Sequence, residues 1–286
     1  MFEDLLNRFW GPKAGMFELM ASRHQPAGGS HAHRYVSKAR RDRTAGLELC
    51  RYELKYRVSE SVAEAITQFV RPYLHLDHYC RSQPNRSYPI VSLYLDSRDL
   101  VLCRQSLEGQ KNRFKLRIRS YTDDPAYPRF LEIKRRLNSI VIKSRARVSQ
   151  QDVAGLICRA GVSQDGSRAD EQTSQQFRFY RDMIGAGPVI LVRYMRQAYE
   201  GDTENRVRVT FDRGLCFKAS SRPEVMLDGG RWRHCPGNSV ILEIKFTGAF
   251  PAWLSQMVRC FNLRQQSLSK YVSSLKRSNW SGLGEP

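Results

Sequence analysis

Acidic residues are scarce in this chain. Its 286 residues hold 28 Asp and Glu against 47 Lys and Arg, a formal charge of +19 and a pI near 10. A surplus that large calls for a polyanionic partner: nucleic acid, a phosphate-rich small molecule or an anionic membrane. Long apolar runs are missing as well. No stretch reaches 18 apolar residues, so no helix is expected to span a bilayer. The opening MFEDLLNRFWG has neither a basic start nor a long apolar core, and no signal peptide is expected. The seven cysteines, at 50, 80, 103, 158, 216, 235 and 260, form no CxxC pair and no Cys/His cluster of zinc spacing. They read as reduced, mostly buried thiols of a cytoplasmic protein. The one glycine pair beside an acid, Asp228-Gly229-Gly230, is not set between a strand and a helix. It marks a turn rather than a phosphate loop.

Hydrophobic residues make up 41% of the chain, enough to build a core. Phe2, Leu5, Leu6, Phe9 and Trp10 fall at helical spacing, and a polar, then basic, stretch follows through KARRDR. Residues 1–48 therefore read as an amphipathic segment plus a flexible basic linker, with residues 2–10 a candidate contact for a membrane surface or another protein. A domain is expected over 49–278 and a disordered tail over 279–286. Within the domain, Ser61 and Glu64 have capping-box spacing for a helix carrying Val62, Ile66, Phe69 and Val70. Strands are expected near 51–58, 88–95, 112–121, 129–136, 139–148, 189–200, 206–212, 215–219 and 238–246. Helical pattern covers about 149–185, interrupted by a loop, and 251–277.

Sorting the strands by parity gives the chain's strongest signal. One face carries Arg51, Glu53, Lys55 and Arg57; Lys115, Arg117 and Arg119; Glu132, Lys134 and Arg136; Lys143, Arg145 and Arg147; Arg196; Arg206 and Arg208; and Glu243 and Lys245. The other face is apolar, through residues such as Leu116, Ile118, Leu131, Ile133, Val207, Val209, Leu242 and Ile244. A solvated face mixes both signs with neutral polar groups, and like charges opposite one another weaken a sheet. A closed antiparallel barrel resolves the conflict by turning the basic residues into a lumen that holds an anion. Among the few acids there, Glu243 is the first candidate metal ligand and Glu132 the second, because carboxylates and phosphates together suit Mg²⁺ or Mn²⁺. The basic faces are poor in rings apart from Tyr121, which points away from nucleic acid.

The series YELKY, KLRIRSY, FLEIK, SRARV, YMRQAY, VRVTFD, ILEIKF and SLSKY resembles the vacuolar transporter chaperone (VTC) polyphosphate polymerase domain, of the triphosphate tunnel metalloenzyme superfamily. The likeness covers about residues 49–277. It implies an α+β fold, an eight-stranded antiparallel β-barrel with flanking helices, and transfer of the γ-phosphate of ATP to inorganic polyphosphate with Mn²⁺ or Mg²⁺ and release of ADP. It also implies catalytic roles for Lys55, Arg117, Arg119, Arg196, Arg208 and Lys270, phosphate binding by Lys134, Lys143, Arg145, Lys245 and Ser269, and metal binding by Glu243. Relatives that hydrolyse triphosphate carry Glu-x-Glu-x-Lys on the first strand. Here the first of these positions is Arg51, which favours the polymerase branch. The competing readings are a tunnel triphosphatase, a non-catalytic polyanion-binding module, and an inactive scaffold tethered through residues 2–10.

Overall fold

The computed structural model describes residues 51–138, 140–158, 167–202, 206–237 and 239–278. The expected N-terminal segment and linker, and the expected C-terminal tail, lie outside the described residues. Ten strands form one sheet: β1 (Arg51–Val58), β2 (His75–Leu76), β3 (Tyr88–Asp96), β4 (Asn112–Ser120), β5 (Arg129–Leu137), β6 (Ile140–Val148), β7 (Gly187–Glu200), β8 (Arg208–Ala219), β9 (Arg233–His234) and β10 (Val240–Thr247). Seven helices accompany them among the described residues: α1 (Glu60–Val70), α2 (His78–Arg81), α3 (Val101–Leu107), α4 (Gln150–Cys158), α5 (Arg168–Met183), α6 (Ala252–Cys260) and α7 (Lys270–Arg277).

The eight long strands pair in the order β1-β10-β8-β7-β3-β4-β5-β6, with β2 added to β7 and β9 to β8, and every ladder is antiparallel. This is the expected eight-stranded antiparallel architecture as a strongly curved sheet that stops short of closure, since no β1–β6 ladder is formed among the described residues. The curvature shows in one contact. Lys134 on β5 reaches Glu53 on β1 at 3.2 Å, although six steps of the strand order separate those strands.

The outer edge of β1 is covered by chain following α6. Gln266 donates to the Lys55 carbonyl at 2.9 Å, and Tyr56 bridges Gln265. The expected helical run 251–277 is therefore broken into α6 and α7. The break begins at Asn262, whose φ of 45° ends the helix. Pairing the backbone groups of an exposed strand edge outweighs the local helical pattern.

Three cores fix the sheet. Outward residues of β4 and β5, such as Leu116, Ile118, Leu131 and Ile133, pack with Leu156 of α4 and Phe177 and Tyr180 of α5. Outward residues of β1, β8 and β10, such as Tyr56, Phe211 and Leu242, pack with Ile66 and Val70 of α1 and Leu254 and Met257 of α6. The third core lies inside the curve, where Tyr271, Val272 and Leu275 of α7 pack on Ile90, Tyr94, Ile190 and Val192 of β3 and β7. Burying each such side chain is worth about 1.5–3 kcal/mol. Apolar side chains of α7 thus plug part of the interior, beside the polar site.

Two local expectations change. α1 is capped by Ser59, whose Oγ accepts from the Val62 amide at 3.3 Å, rather than by Ser61. The strands expected at 206–212 and 215–219 are one strand, β8. It continues through Gly214 because that residue takes a φ of +60° opposite a register shift at Arg193–Met195. Gly214→Ala meets no atom within 4 Å of the added carbon, so only the backbone strain is expected to count. The expected loss is about 1 kcal/mol, read as a lower midpoint in urea unfolding with unchanged slope.

Candidate functional site

Strand register places the charges in rows across the inner face. On β4, β5 and β6 the rows are Lys115–Lys134–Lys143 and Arg117–Glu132–Arg145. On β1, β10 and β8 they are Lys55–Glu243–Thr210 and Glu53–Lys245–Arg208. Most rows set a carboxylate beside a cation. The lysine row does not.

Glu243 is the centre of one cluster. Its side chain is only 6% exposed, and Lys245 reaches it at 2.7 Å, Lys55 at 3.4 Å and Arg196 at 3.7 Å. Burial alone would raise its carboxyl, yet Lys245, Lys55 and Lys270 hold it well below the usual range. Glu53 adjoins it. Burial and Glu243 push Glu53 up, but Lys55 and Lys134 leave it below its ordinary value. The Lys55 ammonium sits between the two acids, 3.0 Å from Glu53 and 3.4 Å from Glu243, and also donates to the Leu268 carbonyl at 3.2 Å. Burial would lower Lys55, but the two carboxylates outweigh it and raise it.

Glu132 belongs to a second cluster. Arg117 grips it at 2.6 Å, with Arg145 at 3.6 Å and Arg119 at 3.7 Å. Against the upward push of burial these arginines bring its pKa down to about 2. Arg117 also donates to the Tyr94 hydroxyl, Arg119 to Ser92, and Arg145 to Tyr121 while lying 3.7 Å from the Phe130 ring centroid.

Asp212 organises a third cluster and was not a candidate in the sequence. It takes two bonds from Arg196, at 2.7 and 2.8 Å, and one from Lys270 at 2.6 Å. Its side chain is 1% exposed, and the two cations overcome burial to keep its carboxyl low. The signal was present in VRVTFD, since Asp212 shares the parity of Arg208. Arg208 itself is drawn outward from these clusters to Asp77 at 2.7 Å and to Glu200. Ser269 caps α7 and accepts from Lys115 at 2.8 Å, which brings Lys115 into the site. Rings missed by parity also line the interior: Tyr94 stacks on Tyr271, and Tyr194 lies under Lys270 and Arg196.

Lys115 and Lys143 have no carboxylate partner among the described residues. Burial and the neighbouring Lys55, Lys134, Arg113 and Arg117 bring Lys115 down to about 7. Burial, with Lys245 and Lys134, brings Lys143 down to about 8. Lys115 is half-buried and Lys143 exposed, and such a surplus of cations without carboxylate partners is a receptacle for a multiply charged anion.

Among the described residues no three His, Cys, Asp or Glu side chains gather to hold a metal unaided. Glu53 and Glu243 do present oxygens to a common point that a cation, the Lys55 ammonium, now shares. That donor set fits one oxygen-preferring divalent ion completed by phosphate oxygens. Glu132, the second expected ligand, is committed to three arginines instead. No described helix is long and apolar enough to cross a membrane. The six described cysteines are free, with Cys158 and Cys260 exposed rather than buried.

The VTC domain family model matches residues 50–279. Among solved structures the chain is similar to a proposed adenylate cyclase from Bacillus halodurans, at 13% identity and a TM-score of 0.45, covering 81% of this chain and 96% of that one. It is similar to the PH1819 protein from Pyrococcus horikoshii, at 14% identity and a TM-score of 0.41, covering 80% and 98%. It is also similar to a proposed adenylyl cyclase from Hippeastrum, described as having a dominant triphosphatase activity, at 16% identity and a TM-score of 0.46, covering 80% and 96%. No curated protein matches the chain.

Proposed function

We propose that this chain, which belongs to the VTC domain family, is a polyphosphate polymerase that moves the γ-phosphate of ATP onto a growing inorganic polyphosphate inside its basic interior, releasing ADP. The observation that carries the reading is the state of the carboxylates. Glu53, Glu132, Asp212 and Glu243 are all ion-paired and all held below their ordinary pKa. Such groups are poor general bases for activating water. The end of a polyphosphate chain is already an anionic nucleophile and needs none.

In this mechanism Arg117, Arg119 and Arg145 grip chain phosphates, with Lys115, Lys134 and Lys143 as compact charges along the same wall. Lys55, Lys245, Arg196 and Lys270 hold the triphosphate, and Ser269 donates from the head of α7. Glu243 with Glu53 would hold Mn²⁺ or Mg²⁺, which would supply charge neutralisation at the phosphate oxygens. A terminal oxygen of the chain, or of orthophosphate in priming, bonds to the γ-phosphorus as its bond to the bridging oxygen breaks. The electron pair of that bond leaves on ADP. Positioning and charge stabilisation provide the rate. Tyr94 and Tyr194 are buried against α7 and offer no open face to a nucleobase, which favours phosphate over nucleic acid as the partner.

The test is incubation of the purified protein with ATP and Mn²⁺, resolving products on a polyphosphate gel and counting ADP. A ladder of long polymer matched by ADP supports the reading. ADP with orthophosphate alone would make the protein a triphosphatase, and tight polyphosphate binding without turnover would make it a binding module.

A pH dependence is expected of the same interior. Lys115 and Lys143 have depressed pKa values when the site is free, about 7 and about 8, and phosphate oxygens beside them would raise both. The bound state then holds more protons than the free state through that window, so polyphosphate affinity should fall as pH rises through about 7 to 9. Titration calorimetry in buffers of different ionisation enthalpy should register proton uptake on binding. A flat affinity and no proton uptake would remove these lysines from the contact.

A further inference from the structure

A cavity of about 430 Å³ lies beside the inner clusters, between α7 and the wall of β1, β8 and β10. Arg57, Arg213, His234 and Arg277 line it, with Glu60 as its one acid among the described residues. Glu60 is spent on Arg213 at 2.6 Å. Arg57 has the Ser239 hydroxyl at 3.1 Å, and Arg277 has the Ser273 carbonyl at 3.4 Å. No carboxylate pairs with Arg57 or Arg277 among the described residues. Two guanidinium groups therefore converge on one small-ligand-sized space without an anion.

The cavity continues the interior along two elements. On β1, Arg57 follows Lys55 on the same face, and its cross-strand row runs through Ile241 to Asp212 and Arg196. On α7, Arg277 stands seven residues after Lys270, two helical turns along one face and about 10 Å further on. Both elements thus lead from a cation of the central clusters to an uncommitted arginine of the cavity.

We propose that this cavity is a second binding site for condensed phosphate, separate from the reaction centre, and that it takes a stretch of chain several phosphates away from the one being transferred. The inference rests on the polyphosphate reading above. It assigns Arg57 and Arg277 as the contacts and His234 as a third donor. A chain held there is retained between transfers, so the cavity favours processive growth.

The experiment compares wild type with Arg57→Gln, Arg277→Gln and the double variant, measuring affinity and stoichiometry for long-chain polyphosphate and for tripolyphosphate by calorimetry. Each single change should weaken long-chain binding about tenfold or more, the loss of one charge-assisted hydrogen bond. Tripolyphosphate, which is too short to span both sites, should bind the interior unchanged. Loss of one tripolyphosphate equivalent instead would assign the cavity to a separate oligophosphate, still a condensed-phosphate site. Thermal midpoints of the variants, and recovery of affinity in Arg57→Lys and Arg277→Lys, separate lost contacts from lost folding. Unchanged long-chain affinity in the double variant, with wild type binding tightly, would overturn the inference and leave the function standing. Failure of wild type to bind polyphosphate at all would overturn both.

Discussion

Replacing Asp212 by alanine is expected to lower folding stability by about 3–5 kcal/mol, the cost of leaving a buried charge cluster without its counter-ion. Asp212 is the sole carboxylate bonded to Lys270 and the nearest one to Arg196 among the described residues, and it is almost fully buried. Its loss leaves the Lys270 ammonium without a bonded carboxylate among the described residues and the Arg196 guanidinium with Glu243 at 3.7 Å, both over the Tyr194 ring. The same pairing makes the effect ligand-dependent. A phosphate anion that enters the site takes the carboxylate's place on both cations, so tripolyphosphate should return much of the lost stability. At a hundredfold excess over its dissociation constant a ligand adds about 2.7 kcal/mol. Urea unfolding of the variant with and without tripolyphosphate measures both halves. A variant as stable as wild type would mean that Arg196 and Lys270 reach solvent once released.

Glu243→Gln should separate binding from turnover. The amide keeps the shape and still accepts from Lys245, but it removes one negative charge from the surface proposed to hold phosphate. Polyphosphate affinity is therefore expected to be retained or tightened. On the proposed mechanism phosphoryl transfer is expected to fall about a hundredfold, roughly 3 kcal/mol of transition-state stabilisation, because Glu243 would contribute a carboxylate to the ion that neutralises the transferring group. Single-turnover transfer from ATP to long-chain polyphosphate, run beside a binding titration, reads the two effects apart. A parallel loss of rate and affinity would give Glu243 a binding role alone. No change in either would place the metal elsewhere.

The two variants act on different parts of one charge arrangement, and the arrangement explains why a protein of +19 folds at all. Like charges opposite one another destabilise a sheet. Here Glu132 separates Arg117 from Arg145, and Glu243 separates Lys55 from Lys245 and Arg196. Among the described residues the row Lys115–Lys134–Lys143 has Glu53 as its ion-pair partner, through Lys134, and its two outer lysines meet the repulsion with lowered proton affinity. The inner carboxylates are thus all paired with cations, and cations remain in excess.

Much of this was legible from residues alone. Side chains of a strand alternate between faces, so parity by itself assigned Lys55, Arg117, Arg119, Glu132, Lys134, Lys143, Arg145, Arg196, Glu243 and Lys245 to one surface and the apolar residues to the other. The excess of basic residues pointed to an anionic partner, and the ordered motifs identified the family. What parity cannot give is which inward charge meets which, because that depends on register between strands far apart in sequence and on how tightly the sheet curls. Only the tertiary structure paired Glu53 of β1 with Lys134 of β5, drew Arg208 off to Asp77, gave Glu132 to three arginines and made Asp212 a hub. It alone broke the C-terminal helical pattern, since the unpaired edge of β1 needed backbone partners that residues 265 and 266 supplied. The same break turned α7 inward, carrying Lys270 to the central clusters and Arg277 to the cavity beside them.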